Sequence, residues 1–290
     1  MALDPETGEL GAAVQSHWFS VGSLCVWARA GIGAVATQSV VEPAYGPDAL
    51  DRLADGIGAQ QALGELLSAD PMAAVRQVAV VDVHGGVSVH TGSECIAHAG
   101  HVSGEHHSAQ ANMMARDTVP TAMSAAFTAA EGPLHERLLT ALEAAEGEGG
   151  DVRGRQSAAL VVVPAEGESW RRTVDLRVED HADPLVELRR LVKLQRAYDL
   201  AGAGDELLAA GRVEEAGNLY REASRLAPES DELLFWAGLA LAQAGDFEGG
   251  VAAVRRAAEK QPNWIVLLDR LTPDFAPAGA AVRSALRAGS

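Results

Sequence analysis

Four residue pairs in the last third of the chain recur at one spacing: Gly204 with Gly238, Gly211 with Gly245, Ala223 with Ala257, and Pro228 with Pro262. Each offset is 34 residues, the size of one two-helix unit that stacks on a copy of itself. The repeat confines this part of the chain to helices. From Leu185 to Leu286 the sequence carries no convincing strand, and the change of texture falls after Asp183-Pro184. The 290 residues therefore divide into a front domain and a helical tail.

The first repeat, DELLAAGRVEEAGNLYREASRLAP, places Gly211 at the turn between paired helices. Ala216, Tyr220 and Ala223 take the packing positions of the second helix, and Pro228 ends it. Over most of its length this unit resembles a tetratricopeptide repeat. The second unit carries Gly250 where a small alanine is usual, at a cost of about 1 kcal/mol inside a helix. A third, incomplete unit begins near Ile265 and reads as a cap. Two repeats fall short of the three or so that stand alone. They are expected to dock on the long helix Pro184–Gly202 or on another subunit, with the apolar stretch Leu233–Trp236 in a buried contact. So few repeats form only a small groove, which favours an assembly surface over a peptide receptor.

The front half has the period of strands. Leu10–Ser16 and Ala30–Gln38 read as strands, and Asp4-Pro5-Glu6-Thr7-Gly8 is turn chemistry. Pro47–Ala69 has helical spacing. Arg76–Asp82 and Gly86–Thr91 flank a hairpin turn at Val83-His84-Gly85. Two amphipathic helices, Thr118–Ala130 and Leu134–Glu146, precede further strands at Gln156–Val163 and Arg172–Val178. Strands, then helices, then strands is not the alternation of a doubly wound sheet. Two sheets covered by helices fit better.

Composition excludes several classes of function. The formal charge of −17 opposes nucleic-acid binding. No run approaches the roughly 20 apolar residues of a membrane span, and MALDPETGEL lacks the charge pattern of a signal peptide; a cytoplasmic location is expected. Cys25 and Cys95 are expected to be reduced. Lys193 and Lys260 are the only lysines, so the front domain has no lysine base. Gly31-Ile-Gly33-Ala-Val-Ala36 has the letters of a dinucleotide fingerprint but lies inside a β-like run, the wrong context. His84, His90, His98, His101, His106 and His107 cluster without zinc-ligand spacing. Neither a metal nor a cofactor is expected.

Longer segments carry a more specific signal. DPETGELGAAVQSHWFSVGSLCVWARAGIGAVATQSVVEPAYG, RQVAVVDVHGGVSVHTGSECIAHAGH, SAQANMM, GPLHERLLTALEAAEGEGGDVRGRQSAALVVV and VDLRVEDHADPLVELRRL resemble an uncharacterised bacterial domain-of-unknown-function family. That family is assigned to the N-terminal-nucleophile hydrolase-like fold, a four-layer α-β-β-α sandwich. The resemblance implies an α+β domain over 1–182. Residues 183–290 then supply a linker helix, repeats over about 197–262, and a cap. In such hydrolases the first residue is Thr, Ser or Cys, and its own α-amino group acts as the base. Family members begin with a strand like T-F-S-I-V before the D-P-E-T-G turn; this chain has Met1-Ala2-Leu3. Three residues cannot match the seven-residue strand Leu10–Ser16, and the expected Thr is missing.

The function expected is therefore that of an amidohydrolase relative acting on a small-molecule amide, with its nucleophile absent from this chain. The alternative is a non-catalytic ligand- or partner-binding scaffold whose repeats mediate assembly. A homo-oligomer and a protein partner for the repeats are both expected; whether the chain is an enzyme stays open. Candidate cleft residues are Arg29, beside a strand where related hydrolases place a basic group, Asn112 as an oxyanion donor, and Ser23 and Thr37 at strand ends. Ser16, Gln38 and Arg155 are weaker candidates, and Cys95 is a buried thiol or a reactive one.

Overall fold

A computed structural model describes residues 1–288. The chain forms two compact units, Met1–Arg189 and the residues from Arg190 onward. The boundary lies within one helix. Among the described residues, no helix is long and apolar enough to cross a membrane.

The first unit begins with β1 (Ala2–Leu3) and β2 (Leu10–Ser16), joined by the Asp4–Gly8 turn. Gly8 adopts φ +73° there, a conformation open to glycine because it has no Cβ. Next come α1 (Gly22–Cys25), β3 (Val26–Arg29) and β4 (Gly33–Ser39). The single strand expected at Ala30–Gln38 is thus divided: Ala30–Ile32 is a turn, with Gly31 at φ +67°, and β3 pairs back on β4. The helical stretch expected from Pro47 is also two elements, α2 (Tyr45–Ala54) and α3 (Ala59–Ala69). Gly56 at φ +85° ends the first, a left-handed helix stop. Then follow β5 (Arg76–Asp82), β6 (Val87–Thr91), β7 (Gly100–Gly104) and β8 (His107–Ala111). The β7–β8 hairpin lies within the histidine cluster, where no strand was read from the sequence. Glycine, serine and histidine are poor strand formers; pairing to neighbours makes this segment a strand. The unit continues with α4 (Val119–Ala129), α5 (Leu134–Gly147), β9 (Ser157–Val163) and β10 (Val174–Val178).

The strands form two antiparallel sheets. One has the order β10-β9-β2-β1-β8-β7, the other β3-β4-β5-β6. Leu10, Ala12 and Val14 of β2 and Val161 and Val163 of β9 pack on Ala34, Ala36, Ala79 and Val81 of the second sheet. The opposite face of that sheet, through Val35, Val78 and Val80, packs on Leu50, Leu53 and Leu63 of α2 and α3. Helices α4 and α5 cover the outer face of the six-stranded sheet. The order of layers is α-β-β-α. Strand β9 is buried on both faces and apolar after Ser157, which explains its unbroken AALVVV.

The long helix α6 (Pro184–Ala209) leads into the second unit. There α7 (Val213–Leu226), α8 (Asp231–Gln243), α9 (Phe247–Lys260), α10 (Asn263–Arg270) and α11 (Gly279–Ala288) follow. Gly211 and Gly245 stand at φ +75° and +97° in equivalent helix turns. Ala197 of α6 packs with Ala227 and Leu233, so the long helix does support the repeats. Trp236 finds its contacts inside this unit, edge-on to Phe235 at 4.9 Å and to Phe275 at 5.9 Å.

Gly250 proves to be a requirement of packing. A Cβ there would lie 2.5 Å from the Gly238 carbonyl oxygen and 2.7 Å from the Ala242 nitrogen, both backbone atoms that cannot swing away. Gly250→Ala gains about 1 kcal/mol of helix propensity yet is expected to destabilise the repeats, since overpacking costs about 1–3 kcal/mol. A lower urea midpoint for the variant checks this; a higher one refutes the close-contact argument.

Candidate functional site

The cleft of the first unit lies at the end of β1. Its volume is about 360 Å³, within the usual size of a ligand site. Strands β2 and β8 form its two sides through Ala13–Ser16 and Ser108–Asn112, and Met1 closes one end. One wall comes from α4 and α5, through Met123, Leu142 and Ala145. The other comes from Val21, Leu24 and Cys25 and from Gln38–Val41 at the end of β4.

The Met1 α-amino group is buried at the head of β1 and donates to the Ser108 carbonyl at 3.0 Å. Burial lowers its pKa from the usual 8.0 to about 5, because a charged amine is costly away from water. It is therefore largely the free base at neutral pH. Across the cleft, Asn112 Nδ2 donates to Gln77 Oε1 at 3.0 Å. Gln77 Nε2 in turn reaches Thr91 Oγ1 at 3.1 Å, the Gly100 carbonyl at 3.2 Å and the Ala111 carbonyl at 2.9 Å. This fully buried glutamine ties β5 to β6, β7 and β8 and orients Asn112. Gln77→Leu would strand those partners, each at about 1–3 kcal/mol, and is expected to lower the unfolding free energy by more than a surface substitution can. Denaturant titration would measure it, and a loss under 1 kcal/mol would remove Gln77 as an organising residue.

Two further features mark the cleft. Ser39 at φ +70° and Met113 at φ +56° line it in left-handed backbone conformations, where non-glycine residues store strain. Gln38 Oε1 is buried without a hydrogen-bond donor. At the rim Arg153 grips Asp151 with contacts of 2.7 and 3.0 Å. Burial pushes the Asp151 carboxyl upward, but the hydrogen bonds from Arg153 and from backbone amides prevail and hold it below the usual range. Cys25 lines the cleft with a thiol that burial pushes up to about 12, so it is no nucleophile at neutral pH.

Of the residues picked out from sequence, Asn112, Ser16 and Gln38 line the cleft. Arg29 does not: it pairs with Asp51 of α2 at 2.8 Å on the surface. Ser23 lies in α1, bonded to the Ser20 carbonyl at 2.8 Å, and borders a smaller separate cavity. Thr37 is buried in β4, where its hydroxyl donates to the Glu42 carbonyl at 3.1 Å. Alternation along β4 turns Thr37 from the cleft and Gln38 toward it. Arg155 bridges Glu146 and Asp183, and Cys95 donates to the Arg76 carbonyl at 3.3 Å. The clustered histidines are dispersed over two turns, a loop and three strands, and the described residues hold no group of three or more His, Cys, Asp or Glu placed to bind a metal. Sequence reasoning missed Met1, Gln77, Ser39 and the Asp151–Arg153 pair. Only the length mismatch between β1 and β2 pointed toward Met1.

Comparison with known proteins follows the same division. Residues 1–188 match the model of a family described as being of unknown function, DUF1028. Residues 207–286 match a tetratricopeptide-repeat model. A crystal structure of a DUF1028 protein from Silicibacter pomeroyi is similar, with 32% identity and a TM-score of 0.60 over 66% of this chain and 85% of that one. No curated protein matches.

Proposed function

The chain belongs to the DUF1028 family, and from that premise we propose that its first unit is an amide-bond hydrolase domain of the N-terminal-nucleophile type, with chemistry at the head of β1. The observation that carries the reading is the cleft at the centre of the six-stranded sheet, into which β1 points and which Gln38, Ser16 and Asn112 line. In this mechanism the α-amino group of a residue at the head of that strand takes the proton of a hydroxyl or thiol on its own residue as that oxygen or sulfur attacks the amide carbon. Asn112 is placed to donate to the oxyanion that forms. The Asp151–Arg153 pair at the rim offers a charged contact to a polar amide substrate.

The amine in the cleft belongs to Met1, which has no hydroxyl or thiol. That observation favours a second reading, in which the chain as written binds a ligand or partner without turnover. The repeats then serve as a protein-contact element, in keeping with their match, and a homo-oligomer is one form this contact takes. The two readings part on one experiment. A panel of small amides and acyl-amino acids is assayed with the chain and with a version carrying a Thr-led extension of β1. Turnover by the extended chain alone supports the hydrolase reading. Turnover by neither supports the scaffold, and equal turnover by both places the nucleophile elsewhere.

A further inference from the structure

The second unit holds a cavity of its own, of about 400 Å³. Asp205 and Leu208 of α6, Trp236, Leu239 and Gln243 of α8, and Phe275 from the turn between α10 and α11 line it. Two aromatic rings stand together in this lining. The centroids of Trp236 and Phe275 are 5.9 Å apart and their planes are inclined at 63°, so they make two walls of a corner. Both walls are held. Trp236 is half-buried and rests edge-on against Phe235, which itself stacks on Trp264 at 4.7 Å. Phe275 is 69% exposed, yet its turn is fixed on both sides. Pro273 and Pro277 flank it and restrict φ. The Phe275 amide donates to the Thr272 carbonyl at 3.1 Å, and Ala276 is buried in the core of the unit.

A carboxylate completes the lining. Asp205 is exposed, and its Oδ1 accepts a hydrogen bond from the Tyr220 hydroxyl at 2.8 Å. Burial, and then the contact with Asp205, push the Tyr220 phenol up, so at neutral pH the phenol donates and fixes the carboxylate. Among the described residues that line the cavity, none is Lys, Arg or His. A ring face attracts a cation through its quadrupole, and the carboxylate attracts one through its charge. Three groups thus select the same sign. The rest of the lining is apolar apart from Gln243. One carboxylate in an apolar lining cannot replace the water around a compact, strongly hydrated ion, which needs several oxygen donors. It suits a cation whose charge is spread over methyl groups. We propose that this cavity binds a small molecule carrying a trimethylammonium group and no anionic group, with the methyls packed against Trp236 and Phe275 and the charge near Asp205. The exposed amide of Gln243 meets a hydroxyl on such a ligand. The inference is independent of the hydrolase reading, whose cleft lies in the first unit.

Calorimetry on the full chain with choline tests it. Choline is expected to bind with a dissociation constant of about 1 mM or lower. Its neutral isostere 3,3-dimethyl-1-butanol, with carbon in place of nitrogen, should bind about 10-fold more weakly or worse, because it keeps the shape and loses the charge. Phe275→Ala and Asp205→Asn should each weaken choline by about 5-fold or more. Removing an exposed ring opens no core, and the asparagine retains an oxygen for the Tyr220 hydroxyl. Unchanged thermal unfolding by circular dichroism is therefore expected for both variants. No binding of choline at about 10 mM overturns the proposal. So does equal affinity for the neutral isostere, or full affinity in either variant. Binding of N-acetyl-trimethyllysine N-methylamide about 10-fold more tightly than choline would overturn the free small molecule as occupant and put the cation on a protein side chain.

Discussion

Four residues added ahead of Met1, with Thr at their head, are expected to give the chain amidase activity and to stabilise it. The register sets the number: the fourth added residue stands between Ser16 and Asn112, its side chain directed to the same layer as Gln38 and Asn112. A threonine there brings a hydroxyl and a free α-amino group to the polar end of the cleft, beside a side-chain amide able to stabilise an oxyanion. Loss of one oxyanion donor typically costs 10²–10³ in rate, so Asn112→Ala in the extended chain is expected to lose about that much. Thr→Ala at the added head should lose all measurable turnover while keeping the stability gain. That gain has a physical origin. A residue in a central strand makes about two backbone hydrogen bonds, each about 0.5–1.5 kcal/mol net, against an ordering cost of about 1–2 kcal/mol per residue. Apolar contacts with α4 and α5 tip the balance, and a net rise of about 2–4 kcal/mol is expected by denaturant titration. A fall in stability would show that the added segment does not enter the sheet. Stability without turnover would sink the catalytic reading alone.

Acidification from pH 8 to pH 5 is expected to weaken the unextended chain through Met1. Burial depresses the amine from 8.0 to about 5 in the folded state. Between those values the unfolded chain binds a proton that the folded chain does not. Stability is therefore full above pH 8, falls as pH drops, and levels off below about 5. A tenfold difference in proton affinity is worth about 1.4 kcal/mol, so the whole span is at most about 4 kcal/mol. His101 and His107, both lowered by burial, act in the same direction as the pH falls below the ordinary histidine value of 6.5. Acetylating the Met1 nitrogen separates the effects, because the open cleft ahead of Met1 accepts an acetyl group and only the amine stops titrating. Melting temperatures from pH 5 to 8 should fall steeply for the free amine and by the smaller histidine share for the acetylated chain. Parallel curves would mean that the amine is hydrated in solution.

Much of the architecture was legible because it rests on local pattern. The 34-residue offsets located the helical unit, and the bounds of β2 and β5 agree with the apolar runs that define them. The Asp4–Gly8 turn announced the first hairpin. What sequence could not supply depends on distant partners. The β7–β8 hairpin consists of poor strand formers and exists because β1 and the Gln77 side chain pair with it. Thr37 and Gln38 are adjacent polar residues on one strand, and only the stacking of the sheets decides that the second faces the cleft. Gly250 reads as a defect in a helix until the Gly238 backbone is seen against it. Local spacing determined which segments are helices and strands, since that information lies within a few residues. Which side chains share a cavity was decided by tertiary structure, because burial, register and layer order join residues more than 100 positions apart, as in the bond from Met1 to Ser108, 107 positions along, and from Arg153 to Ser16, 137.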